Sequence, residues 1–313
     1  MKAARYSRFG GPEVLEIVDL PDPHAGPGQI RIAVHAAGVN ATDCKRRQGL
    51  LDGDLPQLLG AEVAGVVDEV GAGVTDVTAG DRVFGISEEG TGGSAELALL
   101  SAYAPIPPSL GFAEAAVLPV ALEVATRTLD ALGVGAGSIL LINGAAGGIG
   151  SAAIQLARPR GARVIGIDGP ARLDYLRALG AEPVAYGEGL VKRVRALAPD
   201  GVDAALDIAG NGVLPELIEL AGRPERVVTI ADFAGAQEHG VRFSRGEDGR
   251  AVHALAEIGE LIEAGRFALP VAQTFPLAEI AEAHRACESG AVPGKLVLLV
   301  GLSRPRRKGA PRG

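Results

Sequence analysis

The stretch GAAGGIG at 144–150 follows the apolar run SILLIN and precedes SAAIQLA, which reads as a helix. Taken as Ala145-x-Gly147-x-x-Gly150, it is the dinucleotide fingerprint with alanine at its first position. Gly147 lets the backbone approach a pyrophosphate, Gly150 lets the helix pack on the strand, and the helix N-terminus supplies amides and partial positive charge. The candidate cradle is Ala145, Ala146, Gly147, Gly148, Ile149 and Gly150. Asp168 ends the next strand, VIGID, 18 residues past Gly150. A carboxylate there binds the ribose diol of NAD and repels a 2′-phosphate. Arg172 and Tyr186 point the other way, as liners of a phosphate pocket, with a surface charge and a strand-end aromatic as the competing reading.

A second group of chemistry-bearing residues is Asn40, Asp43, Cys44 and Lys45. Asp43 and Lys45 are read either as site residues or as a surface ion pair, and Cys44 as a small semi-buried residue rather than a reactive thiol. The five histidines, at 24, 35, 239, 253 and 284, show no metal-ligand spacing. None of the four tyrosines has a lysine four residues on, and there is neither a G-x-S-x-G elbow nor a Walker loop.

These residues need elements to hold them. The first 118 residues read as β-rich, with short apolar stretches (Gln29–His35, Glu62–Val70, Arg82–Gly85, Ala95–Leu100) between Gly/Pro/Asp turns. From Val120 the rhythm becomes strand–helix alternation. Strands are expected at Ser138–Asn143, Arg163–Asp168, Pro183–Tyr186, Val202–Asp207 and Arg226–Ala231. Helices are expected around 148–158, 171–179, 190–197 and 212–221, which together make βαβ units and a mostly parallel sheet. A further helix near 250–264 leads to a strand–helix–strand ending (Val271–Phe275, Leu277–Cys287, Lys295–Val300).

Composition agrees with a globular chain. At 313 residues, 47% hydrophobic and 22% charged, it can bury a sizeable core in two domains. Two cysteines make neither a disulfide scaffold nor a four-cysteine zinc site. Met1 leads into Lys2 and Arg5 without an apolar signal segment, so a reducing, cytoplasmic location is expected. The net charge of −8 includes a basic end, 304–313, with five positive charges, read as a disordered tail; the rest stands at −13. Such a body repels nucleic acid and anionic membranes. The 27 uncharged residues from Ala131 to Ala157 contain seven glycines and read as a buried strand, a turn and a helix face, not a membrane span.

With these motifs in order, the chain resembles the medium-chain dehydrogenase/reductase superfamily, and within it the zinc-free quinone oxidoreductase (zeta-crystallin-like) branch. AAGGIGSAAIQLAR (Ala145–Arg158) resembles the quinone oxidoreductase signature A-A-G-G-x-G-x4-Q-x2-R, and GAEVAGVVDEVGAGV (Gly60–Val74) is similar to G-H-E-x2-G-x5-G-x2-V. GVNATD, GDRVFG, GSAE and GKLVL fall where the family has its equivalents. Zinc-dependent members take ligands from a cysteine, matched here by Asn40, and from a histidine, matched by Ala61. A catalytic zinc needs about three protein ligands, so none is expected, and Glu62 is left as a buried hydrogen-bond acceptor.

The resemblance implies a Rossmann doubly wound parallel sheet domain over 119–264 and a β-rich GroES-like catalytic domain from 1–118 and 265–303. It puts the active site between them. Asn40 would hydrogen-bond a carbonyl oxygen near the nicotinamide, and Lys45 would stabilise a developing enolate or phenolate. Ala209, Gly210, Ile230, Ala231 and Lys295 would line the nicotinamide side. Where relatives have a threonine near the nicotinamide this chain has Val124, with Thr126 two residues on. NADP(H) is preferred on family grounds, and NAD(H) stays open because of Asp168. The implied activity is hydride transfer to a small-molecule quinone or α,β-unsaturated carbonyl. The alternatives are a stand-alone enoyl reductase for a polyketide-like intermediate and a non-catalytic nucleotide-binding sensor. A homodimer through GVRFS (Gly240–Ser244) is also implied.

Overall fold

The computed structural model describes every residue except 52, 89, 247–248, 291–293 and 302–313, so the basic end at 304–313 lies outside the described residues. The chain divides into two compact units, Met1–Pro119 with Pro270–Gly313, and Val120–Leu269.

The first unit opens with β1 (Lys2–Tyr6), β2 (Leu15–Asp19), β3 (Ile30–Val39), α1 (Ala41–Arg47), β4 (Gln57–Leu58), β5 (Glu62–Val70), β6 (Arg82–Ser87), β7 (Leu97–Pro105) and α2 (Phe112–Ala115). Its larger sheet also takes in the two strands that return late in the chain, described below. Within it β7 pairs with both β6 and β3, so β3, β5, β6 and β7 close on themselves. Inward residues Ile30, Ile32, Val34, Val63, Val67, Val83 and Ala98 fill that closed space, each at the period of two that a half-buried strand requires. β2, β1 and β4 form a separate three-stranded sheet.

The second unit begins with α3 (Pro119–Ala131) and continues β8 (Ile139–Asn143), α4 (Gly148–Ala157), β9 (Arg163–Asp168), α5 (Leu173–Ala178), β10 (Glu182–Ala185), α6 (Leu190–Leu197), β11 (Ala204–Asp207), α7 (Leu214–Ala221), β12 (Val227–Thr229), α8 (Phe233–His239), β13 (Arg242–Phe243), α9 (Ala254–Glu257) and α10 (Gly259–Glu263). Its six strands are all parallel, in the order β10-β9-β8-β11-β12-β13. This is the Rossmann order, with a reversal between β8 and β11 that opens a crevice at their carboxyl ends. Leu141, Ile165, Ile167 and Ala205 pack under α6, α7 and α8. The alternate residues Leu140, Ile142, Val164 and Leu206 are buried as well, as a parallel sheet covered on both faces requires.

The chain then returns to the first unit through β14 (Val271–Pro276), α11 (Ile280–Ser289) and β15 (Lys295–Leu299). The expected GVRFS strand shortens to β13, at the sheet's edge. Among the described residues no helix is long and apolar enough to cross a membrane.

Candidate functional site

In the first unit, three residues far apart in sequence converge because of strand register. β15 runs antiparallel to β3 with Leu296 opposite Val39, and β3 runs antiparallel to β5 with Ala37 opposite Val63. The residues just beyond those pairs are Lys295, Asn40 and Glu62. Lys295 Nζ lies 2.7 Å from Glu62 Oε1 and donates to Asn40 Oδ1 at 2.5 Å, while Asn40 Nδ2 donates to Glu62 Oε1 at 2.9 Å. Glu62 is fully buried and Lys295 is 8% exposed. Ionised groups this deep persist only as a paired and hydrogen-bonded set. Gly38 makes room for that set: a Cβ there would stand 2.3 Å from Glu62 Oε1 and 2.7 Å from its Cγ.

Asn40 is also the N-cap of α1, and its backbone N–H donates to Asp43 Oδ2 at 2.8 Å. A carboxylate at this third helical position is half of a capping box. Burial pushes the Asp43 carboxyl up to about 6; the Asn40 N–H works against that rise, Glu62 adds to it and Lys295 opposes it. Lys45 is exposed and, among the described residues, makes no ion pair with Asp43. Residues two apart on a helix face different ways, so the surface ion pair that is the alternative reading of Asp43 and Lys45 does not form. The cation that meets Asn40 is Lys295, which the sequence reading grouped with the cofactor residues.

In the second unit, the glycine turn joins β8 to α4 with Gly147 as N-cap. A Cβ on Gly150 would stand 2.5 Å from Gly144 O and 2.6 Å from Ala145 O, whereas one on Gly147 would meet only Gly144 O, at 3.4 Å. Gly150 therefore permits the helix to seat on the strand, and Gly147 leaves an open approach. The first amides of α4 have no intrahelical acceptor. Asp168 turns its carboxylate onto this turn, accepting from Ala146 N at 2.9 Å and Gly169 N at 2.8 Å. Arg172 closes the short 3-10 turn after β9. Tyr186 is 56% exposed. It lines a cavity of about 500 Å³ with Gly187, Glu188, Asn211 and Gly212, off the carboxyl ends of β10 and β11.

A buried polar network missed from sequence fixes the neighbouring loops. Asp207 Oδ1 accepts from Asn143 Nδ2 at 2.8 Å and Gly210 N at 3.1 Å, and Thr229 Oγ1 donates to Asp207 Oδ2 at 2.7 Å. Thr229 Oγ1 in turn accepts from Ala231 N, and Asn143 Nδ2 also donates to Asn211 Oδ1. Three apolar strands each ending in a polar residue were the available signal. The network sets Ala209, Gly210, Ile230 and Ala231 together: a Cβ on Gly210 would touch Ala231 at 2.8 Å. It also ends β12 at Thr229, two residues before the expected Ala231. On α3, Val124 is half-buried and Thr126 is buried; two residues apart, they do not share a face.

The open Gly147, the free first amides of α4 and the crevice beside Gly210 fit a dinucleotide. Among the described residues no group of three or more His, Cys, Asp or Glu side chains could hold a metal ion.

Two family models match. The alcohol dehydrogenase GroES-like domain covers residues 26–126, and the zinc-binding dehydrogenase model covers 179–298. The spectinabilin polyketide synthase system protein NorB of Streptomyces orinoci is 37% identical over 94% of this chain, which spans only 14% of that protein's length. The chloroplastic NADPH-dependent alkenal/one oxidoreductase of Arabidopsis thaliana is 32% identical over 95% of this chain and 79% of its own. Among solved structures, the quinone oxidoreductase from Coxiella burnetii superposes with a TM-score of 0.82 at 32% identity, covering 96% of this chain and 99% of that one.

Proposed function

The chain belongs to the medium-chain dehydrogenase/reductase superfamily, in its zinc-free quinone oxidoreductase branch, and from that premise we propose that it is a zinc-independent, NAD(P)H-dependent reductase of quinones or α,β-unsaturated carbonyls. The observation that carries this reading is the state of Asn40. It stands where zinc-dependent members have a metal-binding cysteine, and its amide is held by Glu62 on one side and Lys295 on the other.

A reduced nicotinamide, when bound, supplies a hydride for a conjugated carbon of the substrate. Gly148 and Ile149, whose amides open α4, would hold its pyrophosphate, with Ala146 and Gly147 forming the turn that lets it approach. Ala209, Gly210, Ile230 and Ala231 line its path along the crevice. Asn40 uses one amide hydrogen on Glu62, which leaves the second as a donor to the substrate's carbonyl oxygen. Negative charge that develops on that oxygen is stabilised by this donor and by the nearby Lys295 ammonium. We therefore assign to Lys295 the cationic role first considered for Lys45. Asp43 acts on Asn40 by fixing its backbone at the start of α1.

NADPH is the favoured cofactor. The Arabidopsis relative is named for it; NAD(H) stays open because of the Asp168 carboxylate at the end of β9. A homodimer joined along β13 belongs to the same reading. A second reading, an enoyl reductase for a polyketide-like thioester, is favoured by the likeness to NorB.

The experiment is substrate-dependent oxidation of NADPH and NADH with a 1,4-quinone, a simple enone and an enoyl thioester. Turnover of the quinone or simple enone supports the first reading. Turnover of the thioester alone supports the second. Tight nucleotide binding without any turnover would make the protein a sensor and contradict both.

A further inference from the structure

The chain's two cysteines are brought to one place where α1 packs on α11. Cys44 is buried on α1, with its Sγ 3.5 Å from His284 Nδ1 and 3.9 Å from the His284 carbonyl oxygen on α11. Cys287 stands three residues beyond His284 on the same helix, so it presents to the same side one turn on. It is half-buried, whereas Cys44 is 4% exposed.

We propose that Cys44 and Cys287 form an oxidisable dithiol, a modification site for low-molecular-weight disulfides that closes into an intramolecular bridge between α1 and α11. Cys287, the more accessible sulfur, starts the exchange. The interaction between the two thiols holds Cys287 down toward thiolate, and that interaction together with burial pushes Cys44 up; the thiolate is the attacking species. Cys287 Sγ attacks one sulfur of the small disulfide. The S–S bond breaks, and one small thiol leaves with the proton that Cys287 lost.

Cys44 then completes the bridge. His284 Nδ1 accepts from Arg47 Nε at 3.3 Å, so it carries no hydrogen of its own. Burial and then the Arg47 charge push this imidazole down to about 4, so it stays neutral beside the Cys44 thiol. Cys44 Sγ attacks Cys287 Sγ, and the second small thiol leaves with the proton that Cys44 lost. Two protein thiols are oxidised by two electrons, and one small disulfide is reduced to two thiols. Because α1 carries Asp43 and is capped by Asn40, the bridge would tie the site's helix to α11. This inference does not depend on the proposed reductase activity.

The test exposes the full native chain to glutathione disulfide, then blocks free thiols and maps peptides by mass. The expected result is a Cys44–Cys287 linked peptide, loss of two hydrogens from the intact mass and full reversal by dithiothreitol. Cys44→Ser should stop at a glutathione adduct on Cys287, and Cys287→Ser should stay unmodified at the buried Cys44. The proposal is overturned if the native wild-type chain keeps both thiols alkylatable, holds a stable glutathione adduct without a bridge, or bridges only after denaturation.

Discussion

Lys295 Nζ and Glu62 Oε1, 233 residues apart in sequence, lie 2.7 Å from each other in the interior of the first unit, and both hydrogen-bond the side chain of Asn40. The pair turns a flexible amide into a fixed one. Glu62 determines where the Asn40 amide nitrogen points, and Lys295 places positive charge against its oxygen.

Removing one member of this pair leaves the other charge buried without its counter-charge. Glu62→Ala should destabilise the protein by about 3–5 kcal/mol, whereas replacing both ions together, Glu62→Leu with Lys295→Met, should recover most of the loss. Denaturant unfolding of the two variants checks this. Equal losses in the single and the double variant would show that the ion pair is not what the site depends on.

Asn40→Ala should lower kcat/KM by about 10²-fold, the usual cost of one donor to a developing oxyanion. Nucleotide affinity should be little changed, since the residues proposed to hold the pyrophosphate belong to the second unit. Steady-state kinetics with a quinone and a fluorescence titration with NADPH separate the two effects. A loss of NADPH binding instead of turnover would move Asn40 out of the proposed role.

Asp43 gives a pH signature of definite sign. Its carboxyl is raised from 3.8 to about 6 in the folded protein, chiefly by burial. The native state therefore binds a proton that the unfolded state has released across that window, and stability falls as pH rises from 3.8 to about 6. Asp43→Asn keeps an oxygen for the Asn40 N–H and removes the charge. Its stability relative to wild type should grow through this range, by roughly 2–3 kcal/mol. Urea unfolding of both proteins from acid to neutral pH measures the difference, and a constant difference would remove Asp43 as its source.

At the glycine turn, Gly150→Ala should destabilise the protein by about 1–3 kcal/mol because its Cβ would overlap two backbone oxygens. Gly147→Ala should fold normally and lose nucleotide affinity. Thermal melts with and without NADPH distinguish the two substitutions; normal nucleotide-dependent stabilisation of Gly147→Ala would count against the cradle.

Much of this was legible in the sequence, for physical reasons that also mark where legibility stops. β9 occupies Arg163–Asp168 and β5 occupies Glu62–Val70, as expected, because apolar runs bounded by turn residues leave little choice of ends. The helix α1, ATDCKRR, is short and polar with no apolar period, so only its tertiary setting reveals it. β1 and β2 were passed over because each is a five-residue partner in a small sheet. Glu62 was correctly read as a buried acceptor, but its donor was not. The meeting of Lys295 with Asn40 is set by the register of β15 on β3, and register between distant strands leaves no local trace. For the same reason the sequence points to Lys45, adjacent to Asn40 and Asp43, while the cation that meets Asn40 in the fold is Lys295.

The central claim is that Asn40, supported by Glu62 and Lys295, does without a metal what zinc does in other members of the superfamily. Its most direct test is the rate of NADPH oxidation with a 1,4-quinone before and after exhaustive treatment with a chelator. Turnover that is substrate-dependent and unchanged by the chelator is the predicted result; turnover that disappears on chelation and returns with added zinc would contradict it.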